Sequence, residues 1–139
     1  MTRAPRNAVE RIGSLAFVEP ELLIRCGTGV PVGAIWSHTP VVADVKGLER
    51  HALALHLGGS ALVEKWTDGC LVGHRSRIGS VSLIPAATRS TWELRGCSRV
   101  AHLYIDPAQL TNLQASFGSA PVSLGDFFAA DDAFSAALV

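Results

Sequence analysis

Between residues 51 and 105 the sequence is a series of short alternating segments separated by glycine- and proline-containing turns. The segment His51-Ala-Leu-Ala-Leu-His-Leu57 places leucine at every second position, the period of a β-strand. Gly58-Gly59 and Asp68-Gly69 are typical of tight turns. We predict strands at 22–26, 32–36, 51–57, 61–67, 70–74, 80–84, 90–94 and 99–105. This many short strands at regular spacing indicate a mainly β sandwich or barrel rather than βαβ units.

The flanks of this region have a different pattern. Residues 1–20 contain two prolines and predict a loose N-terminal arm with a short helical turn at 9–17. Asp106-Pro107 is typical of a helix start, and apolar residues follow at helical spacing. We therefore expect an arm (1–20), a β-barrel (21–105) and C-terminal helices (106–139). The last apolar stripe reaches Val139 without a stop signal, so we expect the native protein to continue.

Composition narrows the class of protein. The 139 residues suit one domain, and 12 basic side chains balance 12 acidic ones. Phosphate neutralisation dominates nucleic-acid affinity, so direct DNA binding by this segment is not expected. Three widely spaced cysteines without a CxxC pair predict neither a zinc site nor a redox motif, and we expect reduced thiols. Without a long apolar run or a secretory signal, the sequence predicts a cytoplasmic protein that does not enter a membrane.

Four motifs in the β region carry a resemblance to a known family. In order they are the Asp68-Gly69 turn, the strand Gly79-Ser-Val-Ser-Leu-Ile-Pro85, the segment Trp92-Glu-Leu-Arg-Gly96, and the junction Leu103-Tyr-Ile-Asp-Pro-Ala108. In this order and spacing the stretch resembles the N-terminal regulatory domain of AraC/XylS-type transcription regulators. The resemblance covers about 60 residues, from His51 to Leu110.

The resemblance implies a cupin-like double-stranded β-helix (a jelly-roll barrel) followed by helices that mediate dimerisation. A small-molecule effector would bind in the barrel of a homodimer. DNA would be bound only through a helix-turn-helix domain absent from this chain. No G-x-S-x-G elbow, P-loop or dinucleotide motif is present, so neither an enzyme nor a cofactor is expected.

Two other classes of protein remain open. A metal-dependent cupin enzyme would need closely spaced histidines and a glutamate, for which His51, His56 and Glu64 are a near match. The two histidines are five residues apart, so on one strand they point to opposite faces. No histidine follows Pro85 where a further ligand belongs. The third possibility is a dimerisation module whose barrel is filled by its own side chains.

The candidate ligand-binding residues are Glu64, Trp66 and Trp92. Glu64 and Trp66 share a strand face, and a carboxylate beside an indole suits a polar or cationic ligand if that face is internal. If it is external, Glu64 is a solvated strand charge. Trp92 and Leu94 share a face that fits a barrel interior. The candidate dimerisation residues form a C-terminal apolar stripe that could instead cover the barrel: Phe127, Phe128, Phe134 and Leu138.

Overall fold

The computed structural model describes residues 7–27 and 29–116. Within these ranges the chain forms two helices and nine strands: α1 (Ala8–Ala16), β1 (Leu22–Arg25), β2 (Pro31–His38), β3 (Val41–Lys46), β4 (His51–Gly59), β5 (Val63–Thr67), β6 (Cys70–Gly73), β7 (Val81–Ile84), β8 (Arg89–Leu94), β9 (Ser98–Ile105) and α2 (Pro107–Ser116). Neither helix is long and apolar enough to cross a membrane.

The strands form two antiparallel sheets. One sheet has five strands in the order β1-β2-β9-β4-β7, and the other has four in the order β3-β8-β5-β6. Each pairing is antiparallel, and the longest connects β4 to β9, with a register shift between His56 and Gly58. The prediction of a mainly β domain is confirmed. The turns that carry the sequence signal are also formed, with Asp68 and Gly69 at φ 51° and 76°.

One strand was not anticipated by the sequence. β3 follows Pro40, in a stretch to which the sequence pattern assigned no strand, and it pairs with β8 along its whole length, from Val41↔Leu94 to Lys46↔Arg89. The segment is rich in valine, which suits a pleated and half-buried surface. Arg89 reinforces the pairing through a bidentate contact with Asp44, which lies on β3. That contact holds the pKa of the Asp44 carboxyl below its usual value.

The N-terminal region differs from the expected loose arm. Its α1 is a nine-residue helix whose apolar side packs into the core through Val9, Ile12 and Ala16. These residues follow helical spacing, which places them on one face. The Asn7 side chain caps the helix by accepting a hydrogen bond from the Glu10 N–H at 2.8 Å. α1 is therefore part of the packed interior, because its buried stripe has a core to meet.

Strand alternation divides each sheet into an inner and an outer face. On β4, Ala52, Ala54 and His56 face the interior, whereas the leucines that mark the strand in the sequence face outward. Lys65, on β5, also lies inside and is fully buried. Its ammonium donates to the Leu83 carbonyl at 3.0 Å and lies 5.2 Å from the centre of the Trp92 ring. Lys65 thus joins the two sheets.

The chain leaves the five-stranded sheet from its central strand, β9. Asp106 accepts a hydrogen bond from the Ala108 N–H at 2.8 Å, which is the helix start predicted for the Asp106-Pro107 pair. α2 follows and is described from Pro107 to Ser116. The remainder of the predicted C-terminal helices lies outside the described residues, as do the candidate dimerisation residues Phe127, Phe128, Phe134 and Leu138.

Candidate functional site

A cavity of about 90 Å³ lies between the two sheets. The five-stranded sheet contributes the inner residues of β2, β4, β7 and β9, and the four-stranded sheet those of β3, β5 and β8. Helix α1 completes the wall with Ile12, Leu15 and Ala16. A space of this size holds several water molecules or a small organic molecule.

The wall of the cavity is electrically neutral. None of the described residues that line it is Asp, Glu, Lys or Arg. Most are aliphatic, and Trp92 contributes an indole. The polar lining consists of three histidines and three serines: His38, His56, His102, Ser76, Ser82 and Ser98. A cavity with this lining favours an apolar, uncharged ligand whose few polar atoms meet specific side chains.

Two of these polar residues each carry a buried atom without a hydrogen-bond partner in the described part of the chain. His38 on β2 and Ser98 on β9 are directly opposite in the antiparallel register, and the two residues are 8% and 4% exposed. Among the described residues, nothing forms a hydrogen bond with His38 Nδ1 or Ser98 Oγ. Burial lowers the pKa of His38 and so favours its neutral form. Buried polar atoms are normally paired, so this pair marks a place where a ligand atom or a water molecule belongs.

A hydrogen-bonded chain of aromatic residues lies beside this pair. Trp36 Nε1 donates to Tyr104 Oη at 3.1 Å, and Tyr104 Oη lies 3.0 Å from His102 Nδ1. The His38 ring stacks on Trp36 with ring centres 5.9 Å apart and planes 10° apart. Burial, with a smaller contribution from the nearby His38, lowers the pKa of His102 to about 3. Burial raises the pKa of Tyr104. Both side chains are therefore neutral at physiological pH.

The third cavity histidine belongs to a separate network. His56 Nε2 lies 2.9 Å from the Gly58 carbonyl, which can only accept, so Nε2 carries the proton. His56 Nδ1 then accepts from the Ser76 hydroxyl at 2.7 Å. This is the geometry of a base and a nucleophile. However, the Ser76 N–H is bonded to the Ala61 carbonyl, and the Arg77 N–H to Ser80 Oγ. Neither is available to stabilise an oxyanion, so the network braces the loop before β7.

The cavity includes one of the three ligand-binding residues predicted from the sequence. Trp92 lines it, as does Leu94. Glu64 and Trp66 do not, because Lys65 is opposite Trp92 in the β5–β8 register and its two neighbours therefore face the other way. Glu64 instead forms an ion pair with Arg95 at 3.1 Å. Of the two faces that the sequence left open for Glu64 and Trp66, the register gives the outer one, so these two candidate ligand-binding residues do not line the cavity.

The histidine and glutamate residues considered for a metal site are not brought together. His51 and His56 lie on opposite faces of β4, as their spacing predicts. His51 Nδ1 accepts from the Ala86 N–H at 2.9 Å, both ring nitrogens of His56 are hydrogen-bonded, and Glu64 faces outward. Within residues 7–27 and 29–116 no group of three His, Cys, Asp or Glu side chains is placed to hold a metal ion. These three residues do not fit the metal centre of a cupin enzyme.

The sequence did not single out His38, Ser98 or Ser76. His102 and Tyr104 are two positions apart on β9, so they lie on one face of the strand, and the structure places that face inside. His38 and Ser98 lie at strand ends, where no periodic signal distinguishes them. Their relation depends on the pairing of β2 with β9, strands that are about 60 residues apart in the chain.

Comparison with solved structures gives weak structural likenesses, including two to EutQ proteins. No protein-family profile and no curated protein matches the chain. The EutQ protein of Clostridium difficile is similar over 53% of this chain and 55% of its own length, at 12% identity and a TM-score of 0.44. A putative ethanolamine utilization protein Q from Salmonella typhimurium LT2 is similar over 63% of this chain and 95% of its own length, at 8% identity and a TM-score of 0.45. By its own geometry the chain is an antiparallel two-sheet protein with a neutral internal cavity.

Proposed function

We propose that this chain is a ligand-binding domain that holds a small, uncharged, largely apolar molecule between its sheets. We further propose that it is the effector-sensing, cupin-like domain of an AraC/XylS-type transcription regulator. DNA would be bound by a helix-turn-helix domain that is not in this sequence. The cavity supports ligand binding, and the order of motifs from His51 to Leu110 supports the regulatory assignment.

The observation that carries the proposal is a pair of buried atoms in a neutral cavity, His38 Nδ1 and Ser98 Oγ, which have no partner among residues 7–27 and 29–116. A barrel filled by its own side chains would leave neither the space nor the unpaired atoms. A bound molecule with one polar group would occupy the space and satisfy these atoms. Since leaving a buried polar atom unpaired costs about 1–3 kcal/mol, satisfying it favours the bound state.

Contact with helix α1 would allow such a ligand to change the conformation of a regulator. Because Ile12, Leu15 and Ala16 form part of the cavity wall, a molecule that fills the cavity contacts α1 directly. α1 is anchored to the loop after β3 through Arg11, whose guanidinium donates to the carbonyls of Lys46 and Gly47. A ligand that binds more tightly to one position of α1 than to another would shift the balance between them.

A thermal-shift screen with uncharged metabolites tests ligand binding. A true ligand stabilises the protein by about 2.7 kcal/mol at a hundredfold excess over its dissociation constant. Ala54→Phe would fill the cavity from β4 and abolish the shift. Ala101→Phe is the matched control, because Ala101 lies on the neighbouring strand β9 and faces outward.

Stabilisation that survives in Ala54→Phe would place the ligand elsewhere and overturn the proposal, as would the absence of any shift by uncharged compounds. Stabilisation by divalent metals alone would favour the metal-binding alternative. Reduced binding in both phenylalanine variants would indicate general damage, so the proposal requires that only Ala54→Phe lose it.

Homodimerisation is part of the proposed regulator. The residues predicted to form the seam lie outside the described ranges, so the test is made in solution. Replacing Phe127 and Phe134 together by aspartate would convert a dimer into a monomer in sedimentation equilibrium if this stripe is the interface. A dimer that persists in that variant would place the interface elsewhere. The outer face of the five-stranded sheet, where Leu22, Ile24 and Leu103 are each about half exposed, would then be the next candidate.

A further inference from the structure

In the hydrogen-bonded series Trp36–Tyr104–His102, which lies beside the cavity, the chemistry of each group determines which one donates. The Trp36 indole N–H can only donate, so Tyr104 Oη must accept from it. Tyr104 has one hydroxyl hydrogen left to donate. Among the described residues its remaining partner is His102 Nδ1, at 3.0 Å, with the two rings edge-on at 83°.

This direction decides which nitrogen of His102 carries the proton. If Nδ1 were protonated, the Tyr104 hydroxyl hydrogen would be buried without an acceptor, which is strongly unfavourable. Nδ1 therefore accepts, and the single proton of the neutral ring lies on Nε2. The lowered pKa of His102 keeps the ring neutral, so this tautomer persists through the physiological range.

The Nε2–H group is the fixed donor of the cavity. His102 lies on the inner face of β9 and lines the cavity, and within the described part of the chain its Nε2 has no hydrogen-bond partner. Among the described residues, His38 Nδ1 and Ser98 Oγ are two further polar atoms of the lining that are buried without a hydrogen-bond partner. Unlike the His102 donor, a serine hydroxyl can either donate or accept. The cavity thus contains the His102 Nε2–H group, which can only donate a hydrogen bond, and the Ser98 hydroxyl, which can donate or accept one.

We propose that the cavity selects an uncharged oxygen group, above all a hydroxyl, which accepts from His102 Nε2–H and donates to His38 or Ser98. This inference rests on the proposed ligand-binding function and names the class of ligand. An ammonium group has no lone pair to accept the Nε2–H bond. A carboxylate would lose its hydration with no countercharge in the lining, because Lys65 does not line the cavity and donates to the Leu83 carbonyl. Tyr104 acts as a positioning residue that sets the tautomer.

The tautomer is tested first in the ligand-free protein. Nitrogen-15 NMR of the histidine side chains separates protonated from unprotonated ring nitrogens. We expect His102 to show an unprotonated Nδ1 and a protonated Nε2, and Tyr104→Phe to alter that assignment. A protonated Nδ1 in the wild-type protein would overturn the inference and leave the proposed ligand-binding function standing.

The ligand class is tested with three compounds on one carbon skeleton: isopentyl alcohol, isovalerate and isopentylamine. By isothermal titration the alcohol should bind at least about tenfold more tightly than either ion. His102→Leu should remove that preference, and His102→Gln should restore part of it because the amide retains an N–H donor. His74→Leu, at an exposed position outside the cavity, is the matched control.

The outcomes of this series separate the two proposals. Equal or tighter binding of isovalerate or isopentylamine would overturn the ligand class while supporting the cavity as a binding site. An unchanged preference in His102→Leu would also overturn it. If no member of the series binds and no uncharged metabolite stabilises the protein, the proposed function fails and the inference fails with it.

Discussion

At the scale of single residues, Gly59 lies where the backbone leaves no room for a side chain. Its φ is +82°, and a Cβ there would clash with the Cys97 carbonyl oxygen. Gly59→Ala should therefore lower the free energy of unfolding by about 2 kcal/mol or more. Gly58→Ala is the matched control, since a Cβ at Gly58 meets nothing within 4 Å. Urea denaturation of both variants checks this; equal stability of the two would contradict the described close approach of β4 to Cys97.

His102 gives the molecule a pH-dependent stability. Its pKa is lowered from 6.5 to about 3 on folding, so between these values the unfolded chain binds more protons than the folded one. Stability is then fully present above pH 6.5 and falls as the pH is lowered, by up to about 1.4 kcal/mol per pH unit for one proton. His38, whose pKa is also lowered, acts in the same direction.

The midpoint of urea denaturation, measured between pH 6.5 and 5, reports the loss of stability caused by His102. Most carboxylates titrate below this range, so they contribute little to the change. The wild-type protein should lose stability across this interval, and His102→Gln should lose less. Equal slopes for the two proteins would show that His102 is not held neutral by burial.

At the scale of elements, α1 tests whether the N-terminal region belongs to the folded core. Asn7→Ala removes the hydrogen bond from the Glu10 N–H and should lower the free energy of unfolding by about 1 kcal/mol. Asn7→Asp, which keeps a capping oxygen, should retain most of the stability. A chemical denaturation series measures both. An Asn7→Ala variant as stable as the wild type would indicate the loose arm that the sequence predicts.

The elements also show what sequence patterns could and could not provide. Alternation predicts which residues of β5 share a face, but not which face is internal. The pairing Lys65↔Trp92 decides that, and it turns Glu64 outward. β3 had no predicted counterpart, and its pairing with β8 along its whole length is what identifies it as a strand. Trp92 was predicted correctly as internal because it shares a face with Leu94.

At the scale of the whole molecule, the account depends on the space between the two sheets. Its wall comes from both sheets and from α1, so the cavity exists only when these parts pack together. His38 and Ser98, whose Nδ1 and Oγ lack a hydrogen-bond partner among the described residues, are brought together by strands that are distant in the chain. No local segment of the sequence encodes this pair, which is why His38 and Ser98 could not be predicted individually. The predicted mainly β fold, in contrast, follows from repeated local patterns.

The most direct test of the account is to observe the cavity wall while a small uncharged molecule is added. The methyl groups of Ala43 and Ala54 line the cavity, and that of Ala101 faces outward. In protein carrying carbon-13 labelled alanine methyls, titration with isopentyl alcohol should produce saturable shifts at Ala43 and Ala54 and leave Ala101 unchanged. Shifts that do not saturate, or that are as large at Ala101 as at the two lining alanines, would contradict the claim that the space between the sheets is a binding site.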